Sequence, residues 1–315
     1  MKAIGWGRRG VRGLGLAGVA ALLVACSTPS VAPPAAAVLP GADTPEKQAS
    51  VDRRPAHIGL ALGGGAARGF AHVGVIQVLE EAGVRPQVVA GTSAGSLVAA
   101  LYASGKSTQE LRRVAETMEE AEITDWMVPI LNRGALRGEA LAKYVNTQVG
   151  GRPIEQMKIP LGIVATDLRS GEAITFRRGN TGSAVRASSA VPAVFQPVRI
   201  GEREYVDGGL VSPVPVRQAR EMGANFVIAV DISSDPEGNP AGDTFQILMQ
   251  TFAIMGKSIN VLALREAEFV VRPSLSGVKS ADFGARRRSI EAGRSAMLAM
   301  LPQLKARIAA FERGE

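Results

Sequence analysis

The sequence predicts an α/β protein, with a mainly parallel sheet covered by helices on both faces. Three observations carry this: strand-length runs that are apolar throughout, helical segments between them, and glycines where one gives way to the next. A strand buried on both faces has no need of a polar side. Ile58-Gly59-Leu60-Ala61-Leu62 and Phe226-Val227-Ile228-Ala229-Val230 have none.

Taken in order, the run at 58–62 enters the turn Gly63-Gly64-Gly65. Residues 71–82 have helical spacing, with Val75, Ile76, Val78 and Leu79 apolar, Glu80-Glu81 near the end and Gly83 closing. Val88-Val89-Ala90 is a second strand that breaks at Gly91 into a helix reaching about Ser104. Leu161 to Ala165 and Ala173 to Phe176 read as two strands of a hairpin, and Val216 to Met222 as a helix ended by Gly223. Asp243-Thr244 offers N-cap residues to a largely apolar stretch, 243–264. Apolar helices of large α/β domains are usually core, so this one is expected to pack on the sheet; a face that admits lipid is the alternative. There is no internal repeat.

Composition narrows the classes. The 315 residues are 46% hydrophobic, 21% charged and 4% aromatic, a globular balance long enough for a sizeable core. The net charge is +7, but Lys2, Arg8, Arg9 and Arg12 supply four of these charges from residues 1–25, leaving +3. So small an excess permits weak attraction to anionic lipid and argues for no nucleic-acid partner. With Cys26 the only cysteine, an intramolecular disulfide is impossible. With only His57 and His72 there is no cluster of metal-ligand spacing, and no metal or organic cofactor is expected.

The amino terminus reads as an address. A basic start precedes an apolar run, Leu14 to Ala25, that at about twelve residues has signal-peptide length and falls short of a bilayer span. It ends Leu23-Val24-Ala25-Cys26, which resembles a bacterial lipobox. That resemblance implies cleavage before Cys26 and its lipidation. With Ser27 following, it implies an envelope location, the outer membrane facing the periplasm. An uncleaved anchor or a simple secretory signal is the plainer alternative; Arg8-Arg9 hints only weakly at twin-arginine export. Residues 26–55 are then the lipidated cysteine and a Pro/Ala-rich tether, whose flexible part would reach about 30 Å. The catalytic domain is expected at 56–235 and a helical extension packed on it at 236–315.

Three motifs carry chemistry. Gly91-Thr92-Ser93-Ala94-Gly95 is a G-x-S-x-G sequence between strand and helix, the context of a nucleophile elbow. Gly63-Gly64-Gly65-Ala66-Ala67-Arg68-Gly69 also joins strand to helix. Its glycines let backbone N–H groups approach an anion, with Arg68 ordering the loop or adding positive potential. A dinucleotide loop would need an acid ending the second strand, where this chain has Gly91-Thr92-Ser93. In Tyr205-Val206-Asp207-Gly208-Gly209 a carboxylate sits among glycines; taken alone it is better read as a turn aspartate.

Ser93 needs a group to take its proton. Both histidines precede it, against the Ser, acid, His order of α/β-hydrolases, and His72 reads as structural. What remains is a Ser–carboxylate pair, in which a water-poor pocket raises the basicity of an otherwise weak base. Asp207, Asp167 and Asp231 are the candidates, the last two each ending a strand.

A glycine-rich loop ending Arg-Gly, then G-x-S-x-G, then D-G-G resembles the patatin-like phospholipases. So do Gly69-Phe70-Ala71-His72-Val73-Gly74-Val75, Ala165-Thr166-Asp167-Leu168 and the stretch from Arg186 to Phe195. The likeness spans roughly residues 57–235. It implies the patatin-like three-layer sandwich and a serine acyl hydrolase acting on membrane lipid esters. Ser93 would be the nucleophile, Asp207 the base, and the amides about Gly64, Gly65 and Ala66 the oxyanion hole. Ala66 replaces a glycine of the family's pattern, which suits the loop if its φ is negative. A transacylase and a non-catalytic lipid-binding lipoprotein are the competing functions. Trp126 and Met127 could line an entrance, and Arg286-Arg287-Arg288 could meet headgroups; plain packing and a solvated face are the simpler readings.

Overall fold

The computed structural model describes residues 55–125, 134–237, 241–279 and 281–315. The predicted amino-terminal address and tether, Cys26 included, and Trp126 and Met127 lie outside them. The described residues belong to one compact unit.

Its sheet is built from β1 (Ile58–Leu62), β2 (Val88–Thr92), β4 (Leu161–Asp167), β5 (Ala173–Phe176), β7 (Val198–Ile200), β8 (Arg203–Asp207), β9 (Phe226–Val230) and β10 (Phe269–Val271). The order is β10-β9-β1-β2-β4-β8-β7, with β5 also on β4. The five strands from β10 to β4 are mutually parallel, whereas β5, β7 and β8 join by antiparallel pairing. The all-apolar runs at 58–62 and 226–230 are buried along their whole length, as expected of strands covered on both faces. A separate two-stranded parallel pair joins β3 (Gly134–Leu136) to β6 (Ala193–Phe195).

Helices cover both faces. Over the larger core lie α1 (Ala71–Glu81), α2 (Ala94–Ala103), α3 (Thr108–Thr117), α4 (Glu139–Gln148), α5 (Thr181–Ser188) and the long α8 (Arg286–Arg313). Over the smaller core lies α6 (Val216–Glu221), with Val214, Val216, Ala219 and Leu264 against Ala61, Ala90 and Ala229. Alanine on that side of three neighbouring strands is what lets a short helix approach closely. The region past residue 235 contributes a strand, β10, as well as helices. Within it Arg286 is no solvated charge: its Nη1 donates to the carbonyls of Glu116 and Met118 at 2.9 and 2.8 Å, closing the end of α3. Arg287 and Arg288 are exposed.

The tightest contact between helices is that of α1 with α8. A Cβ on Gly74 would stand 1.9 Å from the Ile290 carbonyl oxygen, and one on Gly293 would stand 1.9 Å from that of Ala71. The two backbones therefore touch at paired glycines, with no side chain between them.

The one sequence expectation of packing that fails concerns α7 (Thr244–Ala263). Its cap is as predicted, Asp243 accepting from the Gln246 amide at 2.8 Å. The helix does not pack on the sheet, however: Asn260 alone among its residues is buried. It lies against the turn at 208–210 and the turn at 264–266, because α6 already covers that face of the sheet.

Candidate active site

β2 and β8 meet end to end. On one edge of β4, residues 163–166 pair with β5; on the other, Val164 pairs with Thr92 of β2, and the next residue, Ala165, with Asp207 of β8. The chain leaves β2 at Ser93 at the point where β8 arrives with Asp207. Residues 114 positions apart in sequence thus come together by register.

At Ser93 the backbone is held at φ 53°, ψ −125°, a conformation that side chains other than glycine rarely adopt. Three contacts maintain it. The Ser93 amide donates to Ser188 Oγ at 2.9 Å, and that hydroxyl donates to the Val164 carbonyl at 2.5 Å. The Ser93 carbonyl accepts from the Ser96 amide at 2.8 Å, opening α2. Gly91 and Gly95 are required by space: a Cβ on Gly91 would stand 2.5 Å from the Gly95 carbonyl oxygen, and one on Gly95 2.1 Å from that of Leu62. The sharp turn raises a partly exposed Ser93 over the start of α2, where the amide of Ala94, without a partner among the described residues, and the helix dipole favour negative charge.

Asp207 is only 6% exposed. Its Oδ1 accepts from the Gly209 amide at 2.7 Å. Its Oδ2 is buried with no well-formed hydrogen bond. Burial pushes the carboxyl up to about 6, against the opposing pull of the Ser93 hydroxyl and the Gly209 amide. The Ser93 hydroxyl is thus close enough to stabilise the carboxylate, though the two do not yet close a bond of ordinary geometry; catalytic hydrogen bonds often tighten only when substrate is bound. The peptide is fixed on both sides, with the Asp207 amide donating to Ala190 O at 2.9 Å and Thr166 Oγ1 to Asp207 O at 2.8 Å. Gly208 leaves no room for a side chain, since its Cβ would stand 2.2 Å from Val164 O.

The glycine loop lies against Ser93: a Cβ on Gly64 would be 3.1 Å from Ser93 Cβ. Its amides are not equivalent. That of Gly64 is engaged with the Pro213 carbonyl at 2.9 Å, so Gly64 has no N–H to offer an oxyanion, contrary to the expectation. The amides of Gly65 and Ala66 have no partner among the described residues. Ala66 has φ 50°, not the negative value that alanine would favour. The loop therefore keeps the glycine-type conformation at a cost of about 1–2 kcal/mol.

Arg68 is 8% exposed, and its Nε is buried without a hydrogen bond, so that nitrogen ties down no part of the loop and the residue acts there through its positive charge. It lines a cavity of about 860 Å³, beside Phe245, Met249 and Gln250 of α7 and residues 273–279.

The other titratable groups near the strand ends are committed elsewhere. His72 is fully buried and donates from Nε2 to Gly63 O at 2.8 Å; burial pushes its imidazole down to about 4, so it is neutral at pH 7 and holds the loop. Asp167 is covered by its own turn at the periphery, where Arg203 Nη1 at 2.6 Å and the amides of Ser170 and Arg169 hold its carboxyl down to about 2. Asp231 accepts from Ser233 and, at 3.1 Å, from Arg272 Nε. Each of these two aspartates is engaged by an arginine. Among the described residues no cluster of His, Cys, Asp and Glu could hold a metal ion. Ser188 had no assigned part in the sequence reading. Its only signal there was the resemblance of the stretch from Arg186 to Phe195.

A strand-to-helix elbow, a glycine loop and a buried carboxylate on one sheet edge define an α/β hydrolytic architecture. The chain belongs to the patatin-like phospholipase family, a family of lipid ester hydrolases, whose model matches residues 60–220. An uncharacterised NTE family protein of Mycobacterium tuberculosis is 38% identical over 187 residues, which are 59% of this chain and 51% of that protein. Patatin-like phospholipase domain-containing protein 6 of Mus musculus is 30% identical over 261 residues, covering 72% of this chain and 19% of that protein. The chain thus spans about half the length of its mycobacterial relative. The crystal structure of VipD from Legionella pneumophila shares the fold, with a TM-score of 0.52 and 14% identity over 80% of this chain and 68% of that one.

Proposed function

We propose that the protein is a serine acyl hydrolase that cleaves fatty-acyl esters of membrane lipids through Ser93 and Asp207. The observation that carries this reading is the meeting of a strained, partly exposed serine with a buried, unpaired carboxylate oxygen whose basicity burial has raised. Asp207 takes the proton of Ser93 as its oxygen attacks the ester carbonyl. The oxyanion is met by the amides of Gly65, Ala66 and Ala94, and collapse expels the alcohol with the proton from Asp207. The same carboxylate then activates water, which releases the fatty acid and restores Ser93.

The test compares the wild type with Ser93→Ala, following fluorophosphonate labelling together with fatty-acid release from phospholipid and short-chain esters. Labelling should vanish in the variant, and release should fall by at least about 10⁴-fold. A folded wild type that neither labels nor releases acid would overturn the reading in favour of a lipid-binding lipoprotein. Acyl transfer to added lysolipid in preference to water would redirect it to a transacylase.

The amino-terminal pattern supports a lipid on Cys26 and an envelope location facing the periplasm. Metabolic labelling with radioactive palmitate should mark the wild type and not Cys26→Ser; equal labelling of both would exclude that anchor.

A further inference from the structure

The helix α7 turns an apolar arc toward water. Successive residues of an α-helix turn by about 100°, which divides it into two arcs. The inward arc mixes amides with apolar side chains: Gln246 and Gln250 face the cavity together with Met249 and Ala253, Gln250 Nε2 donates to Pro236 O at 2.7 Å, and Asn260 Nδ2 meets Ser233 Oγ at 3.4 Å. The outward arc carries Ile247, Ile254, Met255, Val261 and Leu262, which are 54, 51, 47, 52 and 64% exposed. The water-facing arc of an ordinary surface helix is polar or charged.

Four further observations select a lipid surface as what covers it. The hydroxyls on the outward arc are already satisfied within the helix, Thr251 Oγ1 donating to Ile247 O at 2.9 Å and Ser258 Oγ to Ile254 O at 3.1 Å. Removing water therefore strands no donor, which is the condition for entering hydrocarbon. No charged side chain interrupts the arc between Ile247 and Leu262, a strip of about 22 Å. Exposed Arg265 stands just past its end, as suits a helix bordered by anionic headgroups, and Lys257 on its flank is paired with Asp235 at 3.1 Å. Finally, α7 rests on the turn at 208–210 that follows Asp207, so whatever touches α7 is at the margin of the Ser93 site.

By length and hydropathy the helix could cross a bilayer. It is tied at both ends, however, to β9 and β10, neighbours in a parallel sheet, so crossing would tear the sheet apart. It can only lie flat. We propose that α7 is an interfacial docking helix that beds its Ile247–Leu262 stripe into the surface of a lipid bilayer beside the Ser93 site. Its use in bringing lipid esters to Ser93 rests on the acyl-hydrolase reading; its insertion does not.

The test uses the whole chain in a Cys26→Ser background, which removes the only native thiol. Leu262→Cys on α7, or Ile254→Cys should that variant not fold, is labelled with an environment-sensitive fluorophore. Leu298→Cys on α8, an exposed apolar position outside the stripe, is labelled in parallel. Vesicles of phosphatidylcholine and phosphatidylglycerol, with and without acyl-chain doxyl quenchers, are then added. The α7 label should shift to the blue and be quenched, and the α8 label should do neither. Ile254→Asp with Leu262→Asp should lower vesicle partition at least about tenfold. An α7 label that stays in water at saturating lipid overturns the proposal. So does one already shielded without lipid: in a concentration-dependent way this means a second copy on the heptad-spaced stripe, and at any dilution it means a segment of the same chain. Insertion without any ester hydrolysis would instead sink the enzyme reading and leave the docking helix standing.

Discussion

Asp207→Asn is expected to reduce ester turnover by about 10³-fold or more while raising stability at neutral pH. Catalysis falls because an amide cannot accept the Ser93 proton, and its NH₂ group facing that hydroxyl would donate where the carboxylate accepts. Stability moves the other way. Burial raises the folded-state carboxyl to about 6, above its ordinary value of about 3.9 in an unfolded chain. A group raised in this way favours the folded state in its protonated form, and that advantage is lost as pH climbs from about 4 through 6. Above pH 6 the wild type therefore carries a desolvated charge, at a cost on the order of 3 kcal/mol by linkage. Asparagine removes it. Thermal melts should show the variant more stable than wild type at pH 8, with the difference shrinking toward pH 4. In the wild type, kcat/KM should rise about tenfold per pH unit below 6 and level off above it. An active Asn variant, or a stability difference indifferent to pH, would refute the assignment of Asp207 as the buried base.

Gly293→Val is expected to be among the most damaging single changes away from Ser93, at about 4 kcal/mol or more. Its Cβ would occupy space 1.9 Å from the Ala71 carbonyl oxygen, and neither partner is a flexible side-chain end that could yield. To accommodate it, α8 must lift from α1 along its length and open the core around Ile290, Met297 and Leu304, all fully buried. Damage should reach the site as well, because α8 also touches the short turn of helix, residues 66–70, that bears Arg68. Urea unfolding of Gly293→Val beside Gly293→Ala should show a large loss for both, and a near-wild-type midpoint for either would mean that the two helices are not in backbone contact.

Much of the fold was legible because its local causes are local. The runs at 58–62 and 226–230 are apolar on both sides, so they had to be strands of a covered sheet. Asp243 is an N-cap wherever the helix after it goes. The motif at 91–95 announced an elbow, since only small residues fit so sharp a turn. The sequence reading passed over α3, although Ser107 and Glu110 form a capping box and Leu111, Val114, Ala115 and Met118 keep helical spacing.

By itself the sequence determined the class of fold, the order of the motifs and the short set of residues able to do chemistry. Which aspartate faces Ser93 was a matter of register. Asp167 and Asp207 end strands and Asp231 directly follows one, but only at Asp207 does pairing with β4 set a carboxylate next to the end of β2, buried and, among the described residues, without a cation. Arg203 and Arg272, which neutralise the other two, lie 36 and 41 residues from their partners, beyond the reach of local pattern. In the same way, Pro213 decided that the Gly64 amide is spent, and Ser188 that the Ser93 amide is held. An apolar sequence made α7 a helix. Only the tertiary structure, in which α6 had already covered the sheet, left that helix facing outward.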